Sequence, residues 1–465
     1  MDRIEEKLNM HAISRTNILT VTFLFATGAL LATTPAISAE NKPLPQTLFT
    51  NVNVFDGKAD ELAMGMSVLV EGNLIKEIAK GGIKTNRLAT VINGGGRTLM
   101  PGIIEGHGHV GLPFHVGRVL GDEDWQYIGA KTTVTAKFFL DHGWTTVRDV
   151  GGPVAGIKKA IDEGAVPGPR IYPAGMFISQ TSGHGDFRRF ADLHPNQLAE
   201  LPFFNRYFGH IADGVPDVLR ATREELRKGA VHIKMMAGGG ITSQYDPLHT
   251  AQYTLDEMRA AVDAASDWGT YVMVHAYTDK AVSRAIEAGV KVIEHGQLMT
   301  EETAKAMAEK GVWLSTQVAF VATPPTEAAI KAFGQVSYLK WKSVNEGLKT
   351  SINFAKKYKI KVAFGTDFWG DELPKLTTEF AARKAFYSDA EILRQATSGN
   401  GELLKLTGKL NPYPDGPLGV IAEGAYADIL LVEGNPLENI ELLADPKKNI
   451  PVIMKDGKVY KNTLK

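Results

Sequence analysis

One unit recurs through the middle of the chain and limits what it can fold into: a helical run closing on Gly, followed by a short apolar strand. It appears as FFLDHGWTTVRDV, AIDEGAVPGPRIYPAG, ELRKGAVHIKMM, AASDWGTYVMVHA, AIEAGVKVIEHG and MAEKGVWLSTQ, with Gly143, Gly164, Gly229, Gly269, Gly289 and Gly311 where a helix C-terminal cap belongs. Glycine suits that place because it enters the left-handed backbone region without a Cβ penalty. A seventh unit, AKKYKIKVAFGTD, lacks the Gly, and an opening strand around LMPGII brings the number to eight. Eight β/α units close a parallel barrel, so the expected fold is α/β, a (β/α)8 TIM-type barrel over residues 99–408. Its largest insertion, Asp186 to Asp213, carries the aromatic cluster Phe203, Phe204, Tyr207 and Phe208.

The flanks follow a different pattern. Residues 40–98 alternate short β-type runs with turns, as in LFTNVNVFDG and MSVLVEGNLIKEIAK, and read as a small antiparallel unit; GVIAEGAYADILLVEGNPLENI and PVIMKDGKVY within 409–465 carry the same chemistry. Both termini are therefore expected to build one small β-sandwich domain. Residues 1–39 read as a signal peptide: Ile18 to Ala32 is an uncharged apolar run of 15 residues behind Arg15, followed by Pro35, Ala36, Ser38 and Ala39. That run is shorter than the roughly 20 residues a membrane-crossing helix needs. The expectation is export to a periplasm or the medium, cleavage near Ala39 or Glu40, and no stable membrane anchor. With 51 Lys plus Arg against 52 Asp plus Glu there is no basic field to hold nucleic acid.

Cysteine is absent, which removes thiolate nucleophiles and iron–sulfur clusters and leaves any metal to His, Asp, Glu or a modified Lys. Active sites of such barrels lie at the C-terminal ends of the strands. Polar residues end the apolar strands at His107 and His109 (first), Lys234 (fourth), His275 (fifth), His295 (sixth) and Asp367 (eighth). Histidines at alternate positions of an extended strand share one face, and N/O donors of this kind suit Zn2+ or a similar divalent ion. Two other patterns are set aside. Gly106, Gly108 and Gly111 fit G-x-G-x-x-G, but histidines fill the intervening positions and no acidic residue stands about 20 positions on. Gly238 to Gly240 lack the Lys-Ser/Thr ending of a phosphate loop and read as a flexible rim beside Lys234.

PGIIEGHGHV, together with NVNVFDG and GRTLMPGIIEGHGH before the barrel and LGVIAEGAYADILLVEGNPLENI after it, resembles the patterns of the amidohydrolase superfamily. IKMMAGGG, VHAYT, VIEHGQ and FGTDF are similar to its metal-dependent Xaa-Pro dipeptidase and ochratoxin-hydrolysing branch. The resemblance implies two divalent ions, Zn2+ being expected: His107, His109 and Asp367 on one, His275 and His295 on the other, and N6-carboxylated Lys234 between them. The sequence departs from the family at Glu105, usually Asp, and at Asn400-Gly401, usually Asn-Pro. A buried lysine beside dications would be driven to the neutral form that can bind CO2. Metals at that range would bring a bridging water toward a pKa of about 7 and polarise the scissile carbonyl. Asp367 would then serve as general base and acid in amide hydrolysis. Tyr245, in GGGITSQYDP, looks like the family's tyrosine that donates to the carbonyl oxygen, and His184, in TSGHGD, like its substrate-binding histidine.

The aromatic insertion either forms an apolar lid or packs on the barrel exterior, and its Arg188, Arg189 and Arg206 either clamp a carboxylate or face water; the first alternative suits a small-molecule amide or dipeptide whose leaving amino acid keeps its free carboxylate, as ochratoxin-type compounds do. A rival is ring opening of a lactam or imidazolone, as in an imidazolonepropionase. A non-catalytic ligand-binding barrel would instead have lost metal ligands, and all six positions are intact. A homo-oligomer is expected.

Overall fold

A computed structural model describes residues 44–114 and 123–464. The expected export segment, 1–39, lies outside them. No helix among the described residues is long and apolar enough to cross a membrane.

The barrel strands, in chain order, are Ile103–Gly108, Trp144–Asp149, Arg170–Pro173, Ile233–Met236, Val272–Thr278, Val292–Leu298, Trp313–Thr316 and Val362–Phe364. Successive strands pair in parallel, for example Met273 with Val292 and Leu314 with Val362. The third strand resumes as Phe177–Ser179, which pairs with the fourth and, on its other side, with Gly209–Ile211 of the insertion. Helices cover the outer face, so strands such as VMVHAYT read as almost unbroken apolar runs and are buried along nearly their whole length.

The helix-ending glycines occupy the predicted places, with φ of 93, 75, 97, 78, 97 and 64° at Gly143, Gly164, Gly229, Gly269, Gly289 and Gly311. In the seventh unit Lys359 takes the same left-handed turn, at φ 53°.

Few bonds join the eighth strand to the first. The Asp367 N–H donates to the His107 carbonyl (3.0 Å). The Asn400 side chain accepts from the Phe364 N–H (3.1 Å) and donates to the carbonyls of Ile104 and Phe364 (2.7 Å each). Gly106 permits this approach, since any Cβ there would overlap the Phe364 carbonyl, and a Cβ at Gly108 would overlap Val147. The apparent dinucleotide fingerprint is thus a set of packing spacers.

Both ends of the described chain share one eight-stranded sheet. Its seam is the antiparallel pairing of Thr98–Pro101 with Ile429–Val432, in which Met100 faces Leu430. Phe49, Val68, Leu99, Ile429 and Met454 meet in its buried apolar cluster. Two expectations need correction. Gln46–Val54 is antiparallel to Ala63–Glu71 but runs parallel to Thr90–Asn93 and Thr98–Pro101, so the N-terminal unit is mixed. The barrel begins at Ile103, not at Leu99. LMPGII reads as one apolar run, yet Gly102 divides it: its N–H bonds the Asp428 carbonyl (2.8 Å), and a Cβ there would overlap Thr145.

Candidate metal centre

The first strand delivers His107 at its end and His109 just beyond, and the loop after the eighth strand delivers Asp367. Asp367 Oδ1 lies 3.4 Å from His107 Nε2 and 3.2 Å from His109 Nε2. Donor atoms of these three buried residues all fall within 4.8 Å of one another, the spacing of ligands around one ion. The His295 ring is 5.2 Å from His107 and 4.5 Å from His275 between centroids, and Lys234 borders the same cavity. The structure therefore brings all six predicted ligands together.

The protonation of four of them, His275, His295, Asp367 and Lys234, suits a cation. Burial, with His184 and other neighbouring positive charge adding to it, holds His275 well below the ordinary imidazole range, and burial does the same to His295. Burial would raise Asp367, but His107 and His109 outweigh it and hold the carboxyl well below its usual range. Burial pushes the Lys234 ammonium down to about 8. At pH 7 that shift raises the neutral fraction of a lysine from about 0.04% to about 10%. Neutral imidazoles at His275 and His295, an ionised carboxylate and a lysine of lowered basicity approach the donor states that metal binding requires, whereas at His109 burial is outweighed by Asp367, which holds that imidazole above its ordinary range.

Backbone strain marks two of these predicted ligands. His295 and Asp367 are non-glycine residues at φ 80° and 60°, a conformation that costs on the order of 1–3 kcal/mol and persists where the surroundings over-determine it.

The sequence reading missed the residues that orient the candidate ligands. His107 Nδ1–H donates to Glu294 Oε2 (2.6 Å), which fixes the tautomer and turns Nε2 toward Asp367. Glu294 in turn accepts from Arg148 Nη2 (2.6 Å), and Arg148 Nε donates to the Gly106 carbonyl (2.6 Å), all inside the barrel. His109 Nδ1–H is directed by the Gly151 carbonyl (3.0 Å), and His275 Nε2 by that of Gly239 (3.2 Å). Glu105, where the family usually has Asp, supports a candidate ligand, its carboxylate accepting from the N–H of His107 (2.9 Å) and of Thr366 (2.8 Å). An available signal was a charge inside an apolar strand: Arg148 in WTTVRDV and Glu294 in VIEHG.

Around these groups the cavity is walled by Leu112, Phe177, Phe187, Tyr277, Phe320 and Trp369. Phe187 comes from the insertion, and Phe204 and Phe208 pack behind it. His184 lines the cavity as well, its ring stacked on His275 at 4.0 Å. Tyr245 does not: its side chain is 45% exposed, and its carbonyl accepts from Ser182 Oγ (2.6 Å). Tyr277, two residues after His275 on the fifth strand, packs against His295 at 4.8 Å and borders the cavity instead. The arginine clamp needs correction too. Arg188 forks onto Asp186 (2.8 and 2.6 Å), Arg189 turns to Asp192 (3.3 Å) and Arg206 to Glu200 (2.8 Å). Each has a carboxylate close in sequence that satisfies it locally, and Lys234 is the only Lys or Arg among the described residues lining the cavity.

Residues 98–460 match the model of the amidohydrolase family. In sequence the chain is 30% identical over 386 residues to the ochratoxinase of Aspergillus niger, covering 78% of this chain and 75% of that protein. In structure it superposes on a prolidase complexed with N-methylphosphonate-L-proline with a TM-score of 0.81 and 34% identity, over 90% of this chain and 100% of the other. A Xaa-Pro dipeptidase with methionine bound in its active site gives a TM-score of 0.77 and 30% identity over the same shares.

Proposed function

The chain belongs to the amidohydrolase family and is a hydrolase of amide or peptide bonds; from that premise we propose that it uses two divalent ions, Zn2+ by donor chemistry, to release a carboxylate-bearing amino acid from an amide or dipeptide, ochratoxin-type amides included. The observation that carries this reading is the convergence of four imidazoles, an ionised carboxylate and a lysine of depressed basicity on one cavity. His107, His109 and Asp367 would hold one ion, His275 and His295 the other, with N6-carboxylated Lys234 between them. When bound, such ions supply Lewis acidity toward the carbonyl and hydroxide at neutral pH.

The chain's own groups supply the rest. Asp367, ionised and facing His107 and His109, accepts the proton released in the attack at its carboxylate and passes it to the leaving amine. Tyr277, held against His295, takes the role the sequence reading gave to Tyr245 and donates its phenolic hydrogen to the carbonyl oxygen as charge develops. The aromatic wall binds the apolar part of the substrate and excludes water. His184 and Thr242, polar groups at the cavity edge, receive the free carboxylate that the paired arginines leave unmet.

Hydrolysis of a panel of N-acyl amino acids, dipeptides and cyclic amides by the metal-loaded protein tests the proposal. Turnover of aromatic N-acyl amino acids is expected; turnover of cyclic amides alone would replace it with the ring-opening reading. We further propose export with loss of residues 1–39 and assembly as a homo-oligomer, which light scattering of the purified protein checks.

A further inference from the structure

Beside this cavity lies a buried ammonium that the proposed chemistry does not use. Lys340, in the helix Gln335–Lys357, is 7% exposed. Its Nζ donates to the carbonyls of Gly240 (2.9 Å), Ser243 (2.9 Å) and Asp246 (2.8 Å) and lies 3.6 Å from Asp246 Oδ1. An ammonium has three N–H groups, and three carbonyls use them all. Carbonyls and a carboxylate from one short stretch thus surround a single positive charge, the arrangement a bound monovalent cation would receive.

That stretch forms one side of the cavity. The His184 ring lies over Gly240, where any Cβ would overlap it, and its Nδ1 is 2.7 Å from Ser243 Oγ and 3.5 Å from Asp246 Oδ2. Asp246 Oδ2 also accepts the Gly240 N–H (2.7 Å). Gly239 turns its carbonyl to His275, and Ile241 and Thr242 line the cavity. Three consecutive glycines give the stretch no stiffness of its own. Inward-facing carbonyls beside a buried carboxylate do not hold together without a donor between them.

We propose that Lys340 is a positioning residue: its ammonium acts as an internal cation that fixes residues 239–246 as a wall and thereby sets His184 against the substrate. Its placement of substrate rests on the amide-hydrolase reading, whereas the clamp itself does not. The rim that looked flexible in sequence is a tethered element. Because the metal ligands stand on or directly after barrel strands, loss of the tether falls on substrate binding more than on turnover.

Lys340→Met keeps the stem and removes the charge; Lys340→Ala leaves room for an added amine. In the metal-loaded protein Lys340→Met is expected to raise KM by about tenfold or more, with kcat within about threefold and metal content unchanged. Amide hydrogen exchange over residues 238–250 should quicken by about tenfold or more, with Val272–Thr278 and Val292–Leu298 unaffected. Ethylammonium should restore both properties to Lys340→Ala; tetramethylammonium, a cation without N–H donors, should not. Unchanged exchange over 238–250, absent ethylammonium rescue or equal rescue by tetramethylammonium overturns the clamp. Faster exchange with KM unaltered overturns the substrate-positioning role, and faster exchange spread over the barrel strands reduces Lys340 to a general stabiliser. Wild-type protein that hydrolyses no amide refutes the proposed function, and the exchange measurement still decides the clamp.

Discussion

Glu294→Gln separates what holds the barrel together from what prepares it for metal. The carboxylate is fully buried between Arg148 Nη2 and His107 Nδ1, each 2.6 Å away. Neutralising it leaves the buried Arg148 guanidinium without its counter-charge, a loss of about 3–5 kcal/mol of stability when one partner of a buried pair is removed. It also weakens the hydrogen bond that fixes the His107 tautomer, and losing such a partner of a metal-binding histidine usually costs about 10- to 100-fold in metal affinity. Arg148→Met should cost a similar amount of stability, because it strands Glu294 and also withdraws the donor from the Gly106 carbonyl, a loss of about 1–3 kcal/mol by itself. In the double variant no uncompensated charge remains, so its destabilisation should fall several kcal/mol short of the sum of the two singles. Metal affinity should stay as low as in Glu294→Gln. Urea unfolding of the four metal-free proteins, with competitive chelator titration of each, reads both quantities. Additive stabilities, or wild-type metal affinity in Glu294→Gln, would refute the reasoning.

Asp367→Asn should keep much of the metal yet lose about 10²- to 10⁴-fold in kcat, measured with metal quantified in the same sample. Tyr277→Phe should lower kcat/KM by at most about 10²- to 10³-fold, while Tyr245→Phe, altering an exposed ring outside the cavity, stays near wild type; the reverse order would return the role to Tyr245. Phe187→Ala opens the insertion's wall and should raise KM for an aromatic N-acyl amino acid more than for an acetyl one. Mass determination of protein recovered from a periplasm should find the chain beginning near Glu40, and an intact N-terminus there would count against export.

Those parts of the fold that are local were legible in the sequence. A helix that must end before a strand needs a left-handed residue at that point, and glycine advertises it six times; the seventh turn is hidden because Lys359 adopts the same conformation. The candidate ligands at strand ends were legible because a barrel delivers its strand ends to one mouth, so His107, His109, Lys234, His275, His295 and Asp367 meet although up to 260 positions separate them. Features that depend on the path of a loop were not. Resemblance singled out Tyr245 in sequence, but the loop that carries it leaves its ring exposed, whereas Tyr277 on the fifth strand packs against His295. Likewise Arg188 looks free to bind a substrate until its local fork to Asp186 is seen. The division at Gly102 is illegible because one apolar run serves two sheets, and the break is set by Asp428 and Thr145, each distant in the chain.

In the proposed function, two divalent ions held by six residues drive amide hydrolysis. Titrating metal-free protein with Zn2+ in the presence of bicarbonate, while following hydrolysis of an N-acyl amino acid, tests it most directly. Activity should rise until two equivalents per chain are bound, and Lys234→Ala should fail to reach it while remaining folded. Full activity at one equivalent, or activity that survives complete metal removal, would contradict the account.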